Sequence, residues 1–296
     1  MIIPHLNAPE GLRRCLRALE DQRRSSGTAF RVYVVDNGSN QRPDEVCAAF
    51  DFVTLLSEAE PGPGPARNRA AREATAEILA FIDADCTPGE GWIETIVSYL
   101  GAHPETAVIG GEVYIDHVDS QRLTPIEAYE SVFAYRMRLY YERERFTGTG
   151  NMAVRRADFE RVGGFGGISI AEDRDWGMRA TALGLRIDFV PEMTIKTPAR
   201  ETFSELARKW DRQLGHQFAE VDGLVARLRW ALKALALLVS PLVAGVTILR
   251  SDRLARPRDR WLAFRVLARI RAYRARRMVR LLTGSGTSSQ AAWRGS

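Results

Sequence analysis

Ile78-Leu79-Ala80-Phe81-Ile82-Asp83-Ala84-Asp85 is the stretch that decides the fold. Five apolar residues in a row have the length of a strand buried on both faces, and such strands belong to sheets covered by helices. The run halts at an acidic pair. Helical sequence from about Ala66 to Glu77 leads into it. Farther upstream, Arg31-Val32-Tyr33-Val34-Val35 is a second β-rich run, ending in the turn formers Asp36-Asn37-Gly38-Ser39. Before that run, Leu12, Cys15, Leu16 and Leu19 fall at helical spacing. Strands alternating with helices predict an α/β fold with a mainly parallel sheet flanked by helices and right-handed crossovers.

In such sheets a ligand lies beyond the carboxyl ends of the strands, so the loops at Asp36 and at Asp83 to Asp85 are expected to open on one crevice. Grouped carboxylates repel one another unless a cation separates them. A hard divalent ion bridging phosphate oxygens, Mg²⁺ or Mn²⁺, suits that arrangement and points to a diphosphate ligand.

Three segments in register, Ile3-Pro4-His5-Leu6-Asn7, Val34-Val35-Asp36-Asn37-Gly38-Ser39 and Asp83-Ala84-Asp85, resemble the successive donor-site motifs of family 2 glycosyltransferases. The resemblance covers about residues 1 to 220 and implies the GT-A type nucleotide-diphospho-sugar transferase fold. It implies that Asp36 contacts the nucleoside base, that Asp83 and Asp85, with Ala84 between them, contact ribose and metal-bound diphosphate, and that Asp85 is the metal ligand. Pro4 and Asn7 fall in the first motif as further donor contacts. Uridine is the commonest donor nucleoside in the resembling family.

Pro61-Gly62-Pro63-Gly64-Pro65 feeds a helix start, whose free N–H groups and dipole favour an anion. Arg67 and Asn68 are therefore expected near the donor, and Gly62 to Asn68 resembles the family's Gly-x-x-x-Ala-Arg-Asn pattern. Gly148-Thr149-Gly150-Asn151-Met152 and Gly163-Gly164-Phe165 are small enough for close backbone approach. In the resembling family this region floors the sugar and acceptor pocket, and an acidic pair after it supplies the base. Asp173 matches that base, which an inverting transfer needs to take the acceptor hydroxyl proton. Gly150, Asn151, Glu172 and Trp176 are the candidate acceptor residues. Glu172 and Asp175 are competing carboxylates, since acids are common in a helix's first turn.

Ser204 to His216 reads as a helix that is basic on one side; Arg212, and with less reason His216, are candidates to face the diphosphate as negative charge develops. Arg208-Lys209-Trp210 lacks the Gln that opens the Gln-x-x-Arg-Trp motif of processive synthases, so the resemblance implies transfer of a single sugar.

The apolar fraction of 45% and charged fraction of 27% describe a folded protein rather than a disordered or multispan one. The overall charge of +5 hides an asymmetry. From Arg250 to Arg280 twelve Arg oppose Asp252 and Asp259, a net of +10, and with Arg294 this leaves the first 249 residues at −6. Ala234 to Leu249 is an uncharged run, shorter than the roughly 20 residues that cross a bilayer and interrupted by Pro241. A buried or re-entrant helix pair broken at that proline is expected. Ala263, Val266, Ile270 and Tyr273 at helical spacing, with Arg265, Arg269, Arg276 and Arg280 as a cationic stripe, predict an interfacial amphipathic helix on an anionic membrane surface. The expected organisation is a catalytic domain over 1–220, a helical membrane-associating segment over 221–282 and a disordered Gly/Ser-rich tail over 283–296.

Three cysteines in no paired pattern suggest a reducing compartment, and Met1-Ile2-Ile3-Pro4 has no positive n-region before a long apolar stretch, so a cytoplasmic location at the inner face of the membrane is expected. Taken together, the readings give a glycosyltransferase of polysaccharide biosynthesis that moves one sugar to a saccharide or lipid-linked acceptor, with no nucleic-acid partner. A nucleotidyltransferase of similar α/β fold would also use an acidic pair and a metal. A non-catalytic membrane-surface scaffold with a degenerate nucleotide site is a third reading. A nicotinamide dehydrogenase is disfavoured, because no Gly-x-Gly-x-x-Gly follows the first strand.

Overall fold

The computed structural model describes residues 1–167, 171–219 and 221–284, with only the backbone of Arg212 and His216. Two compact units emerge, one of residues 1–114 and 136–198, the other of residues 115–135 and 199–296. The boundary expected at residue 220 thus falls near 198, and the segment 115–135 joins the helical unit. Most of the tail expected to be disordered, residues 285–296, lies outside the described residues.

The first unit opens β1 (Ile2–His5), α1 (Pro9–Ser26), β2 (Val32–Asp36), α2 (Asp44–Ala48), β3 (Val53–Ser57), α3 (Pro63–Glu73) and β4 (Ile78–Ile82). Next come β5 (Thr87–Pro88), α4 (Trp92–Ala102) and β6 (Thr106–Asp116), whose last two residues fall in the second unit, where α5 (Pro125–Phe133) follows. The chain returns through α6 (Met137–Glu144), β7 (Asn151–Arg155), α7 (Arg156–Val162), α8 (Glu172–Ala182) and β8 (Arg186–Pro198). The second unit closes with α9 (Phe203–Ala219), α10 (Gly223–Arg250) and α11 (Pro257–Leu282).

The eight strands lie in the order β3-β2-β1-β4-β7-β6-β8-β5. The parallel sheet expected from the sequence is its first half: β1 pairs in parallel with β2 and β4, and β2 with β3. Beyond β4 the sheet is mixed: β7 pairs antiparallel with both β4 and β6, and β5 pairs antiparallel with β8. The parallel half aligns the ends of β1, β2 and β4, so their loops share an edge. Ile2, Leu79, Phe81, Met152, Val154, Phe159, Phe165 and Trp176 form one core cluster between the sheet and its helices. The helix read as Ala66 to Glu77 starts earlier, at Pro63, because proline in a first turn loses no helical hydrogen bond.

Asn151, expected to touch an acceptor, is fully buried. Its amide donates to the carbonyls of Glu112 (3.0 Å) and Met193 (2.7 Å), and its Oδ1 accepts the Trp92 indole N–H (2.8 Å). Both amide protons and the carbonyl are used within the core, so Asn151 is a structural tie across three segments. Trp176 is likewise 1% exposed, donates its indole N–H to Gly163 O and stacks with Phe159. Its place is the core, not an acceptor pocket.

In the second unit the expected break at Pro241 does not occur; α10 runs through it. A proline at 241 cannot donate to the carbonyl of Leu237, and the Ser240 hydroxyl donates there instead at 2.8 Å. The helix is long and apolar enough, by length and composition, to cross a membrane. The amphipathic face of α11 is also accounted for differently: Ala263, Val266, Leu267 and Ile270 are buried in a cluster with Leu123, Tyr129, Leu206 and Ile248 of the same unit. They face protein, whereas Arg265, Arg269, Arg276 and Arg280 are exposed.

Replacing Asn151 with Ala would strand the Trp92 N–H and two carbonyls in the core. A loss of about 3 kcal/mol is expected in urea unfolding, with the denaturant slope unchanged.

Candidate active site

Asp36 ends β2 and is 6% exposed. His5, at the end of the neighbouring β1 and directly paired with it, places Nδ1 3.1 Å from Asp36 Oδ1. The Ala8 backbone N–H points at the other ring nitrogen, Nε2, at 3.3 Å. An acceptor role at Nε2 assigns the proton of a neutral ring to Nδ1, which then donates to Asp36. Burial alone would raise the Asp36 carboxyl, but hydrogen bonds from Ser39 and His5 outweigh it and hold the group below its ordinary value. A carboxylate kept ionised and aimed by its neighbours is suited to accept N–H groups of a ligand.

Asn37 and Asn7 brace this edge. Asn37 donates to the carbonyls of Glu58 and Glu60 and accepts from Gly62 N at 2.7 Å. Asn7 takes a left-handed backbone (φ 51°), and its Oδ1 accepts from Asn40 N at 2.8 Å. Pro4 is half-buried in β1, paired with Val35. Asn7, expected to face the donor, thus spends its side-chain oxygen on shaping the loop.

Asp83 and Asp85 follow β4, with Ala84 buried between them. Arg67, 3% exposed on the inner face of α3, reaches Asp83 Oδ1 with Nη2 at 2.7 Å and Glu172 Oε1 with Nη1 at 3.2 Å. Its guanidinium lies 5.9 Å from the Phe165 ring. Arg67 was expected at the donor for its charge; the structure puts that charge between two carboxylates of the protein. Glu172, expected to hold an acceptor, is the second of them. Asn68 is spent differently: its amide clamps the Phe165 backbone, donating to O and accepting from N, each at 2.8 Å. That clamp fixes the 163–166 loop on α3 and commits the Asn68 oxygen and one of its amide protons to it.

Gly150 explains how these parts meet. A Cβ there would lie 2.7 Å from Asp83 Oδ2, and a Cβ at Gly148 would lie 3.9 Å from Asp173 Oδ2. The Gly148 to Gly150 turn therefore runs between the β4 carboxylate and the first turn of α8, and the missing Cβ of Gly150 makes room for the Asp83 carboxylate. Asp173 is half-buried, its Oδ1 accepting from Arg174 N at 2.7 Å. Burial, then the charge of Glu172, raises its carboxyl. Asp175 instead pairs with Arg179 at 3.0 Å. Arg212 belongs to α9 of the other unit, and its side chain, like that of His216, lies outside the described residues.

The fit to a divalent cation can be judged from the donors. Among the described residues no group of three or more His, Cys, Asp or Glu could hold a metal by itself. Asp85 is partly open to solvent, yet the protein around it and then the charge of Asp83 raise its carboxyl. Two hard-oxygen carboxylates, with room for outside oxygens, suit an ion that keeps water and phosphate in its shell.

Comparison with known proteins agrees with this geometry. Residues 1–163 match the model of glycosyl transferase family 2. Glycosyltransferase AglE of Haloferax volcanii is 32% identical over 215 residues, 71% of this chain and 69% of that protein. The pre-mycofactocin glycosyltransferase of Mycobacterium tuberculosis is 27% identical over 202 residues, 64% of this chain but 40% of its own length. Among solved structures, a mannosyltransferase from Pyrobaculum calidifontis in complex with GDP-Man and Mn²⁺ superposes with a TM-score of 0.58 at 20% identity, covering 96% of this chain and 87% of its own. TarS of S. aureus in complex with UDP-GlcNAc gives 0.53 at 17% identity, covering 96% and 91%. The fold is that of the GT-A glycosyltransferases, enzymes that use nucleotide sugars. The chain belongs to glycosyl transferase family 2 and is a glycosyltransferase, which sets aside the nucleotidyltransferase and the scaffold.

The raised Asp173 carboxyl has a consequence for stability. An unfolded Asp protonates near about pH 3.9, so the folded state binds this proton more tightly, and its contribution, full in acid, is lost as pH rises through the folded value. Asp173→Asn should melt a few degrees above the wild type at neutral pH and with it below about pH 3, as measured by thermal melts across pH.

Proposed function

We propose that this glycosyltransferase moves a single sugar from a nucleoside-diphosphate sugar, with uridine the favoured base, to a saccharide or lipid-linked acceptor with inversion, in polysaccharide biosynthesis at the cytoplasmic face of a membrane. The observation that carries the reading is the meeting of Asp83, Arg67, Glu172 and Asp173 around the Gly148–Gly150 turn, beyond the carboxyl ends of the parallel strands.

Asp36 is the base-recognising carboxylate, kept ionised by Ser39 and His5. Asp83 and Asp85 face the ribose and diphosphate, and would hold Mg²⁺ or Mn²⁺ with Asp85 as the direct ligand. That ion, when bound, supplies positive charge to the leaving diphosphate. Asp173 is the base. Burial beside Glu172 makes its carboxylate a better proton acceptor than an exposed one, which suits removal of a hydroxyl proton as the anomeric carbon is attacked. Arg67 offsets the charge of Glu172 and Asp83 and so favours the ionised form of Asp173 against burial and its neighbours. The Arg-rich α11 supplies an electrostatic attraction to anionic lipid.

Calorimetric titration with UDP, GDP, TDP and CDP sugars, with Mn²⁺ and then with chelator, tests the donor site. One nucleotide should bind in a metal-dependent way, and Asp83→Ala or Asp85→Ala should abolish it; no binding by any would sink the reading. Asp173→Asn should bind that donor normally while transfer to acceptor falls by about 10²- to 10⁴-fold. Full transfer by this variant would remove Asp173 from the role of base.

A further inference from the structure

The second unit holds an unusual helix. Along α10, Val225, Leu228, Leu232, Leu235, Val239, Leu242, Val246 and Leu249 repeat at alternating spacings of three and four, with Leu224, Leu238 and Val243 beside them. All are between 45% and 75% exposed. The opposite stripe, Trp230, Ala234, Leu237, Pro241 and Ile248, is buried in the same unit. A helix apolar on both faces with only one covered leaves a long patch that water disfavours.

We propose that α10 lies in the plane of an anionic lipid bilayer, its Leu/Val face in the acyl region and its buried face on the aqueous side against α11. The inference rests on the membrane association proposed above and names its contact element, α10 in place of α11. Length alone would permit crossing, since 28 residues make about 42 Å of helix against roughly 30 Å of hydrocarbon. The partner helix forbids it. Trp230 donates its indole N–H to Met278 O, Ala234 and Leu237 cluster with Ala275, the Gly245 backbone lies against Phe264, and Ile248 clusters with Ala263. The two helices therefore run antiparallel along nearly their whole lengths. A spanning α10 would draw α11 in with it, including exposed Arg265, Arg269 and Arg276, into a medium that does not solvate them. Lying flat, α10 buries only its uncovered face.

Charge favours lipid over a second copy of the chain. Arg227, Arg229 and Lys233 are exposed in the first three turns of α10 and Arg250 at its last residue, and the helix has no acidic residue to meet them across a symmetric contact. Anionic headgroups would meet them at the depth where long cationic side chains reach out of the apolar layer.

The test uses the full chain carrying a spin label at Leu228→Cys, Leu235→Cys, Leu242→Cys or Leu249→Cys, positions exposed in the structure, while Cys15, Cys47 and Cys86 are buried and resist labelling. Depth is read from collisions with oxygen and with a water-soluble nickel complex, on vesicles of phosphatidylcholine with and without phosphatidylglycerol. Four similar, shallow depths on the anionic vesicles are expected. Depth that peaks at mid-helix would overturn the in-plane placement in favour of spanning. Absence of lipid contact, whether or not spin coupling between copies appears, would overturn the inference, and coupling would assign the face to self-association. The paired change Leu235→Glu and Leu242→Glu should weaken vesicle binding about tenfold or more, also at high salt, with nucleotide-sugar titration and the thermal melt unchanged. Loss of donor binding in the wild type would defeat the donor reading alone and leave the depth pattern to decide this one.

Discussion

The first unit depends on a single buried guanidinium. Arg67 is the cation around which Asp83 of the β4 end and Glu172 of the α8 start converge. Without it, the charges of Asp83, Glu172 and the adjoining Asp173 would repel, and the loops that carry them would have reason to part. Taking an arginine out of water costs several kcal/mol unless its partners return that energy, and two carboxylates with the Phe165 ring alongside do so. Because α3 carries both Arg67 and the Asn68 clamp on Phe165, one helix fixes the acidic pair, the 163–166 loop and the start of α8 together.

Amide side chains recur as the ties of this architecture, each for the same physical reason. Asparagine has two donors and a carbonyl on a short stem, so one residue can satisfy an N–H and one or two carbonyls of segments packed against it. Asn37 does this between β2 and the approach to α3, Asn68 between α3 and Phe165, and Asn151 between β7, Glu112 and Met193. His5 serves Asp36 in the same spirit, held by Ala8 N–H in the tautomer that donates.

The strand ends were legible because period and chemistry agree there: the apolar run that stops at Asp83-Ala84-Asp85 reads as a buried strand, and β4 is one. Asp36 was legible for the same reason. What could not be read were the partners that the fold supplies. Asn151 and Trp176 sit in motifs that look functional, yet their polar atoms find mates at Met193 and Gly163, distances in sequence over which no local pattern speaks. The pairing of Arg67 with Glu172 joins residues 105 apart. Pro241 misled because the proline rule counts a lost donor, whereas the preceding serine replaces it. The apolar stripe of α11 was read as the face of a helix lying on a membrane, but protein covers it, and periodicity alone cannot tell the two apart.

The mixed sheet also sets a schedule. Ribosomal synthesis completes β4 while its outer edge still waits for β7, which emerges roughly 70 residues later, on the order of ten seconds at ordinary rates. Through that interval Ile78-Leu79-Ala80-Phe81-Ile82, one of the most apolar strands of the chain, presents unpaired backbone groups to the cell. The nascent chain is therefore most exposed to edge-to-edge association, and to chaperone capture, after β1 to β4 have formed and before β7 has been made.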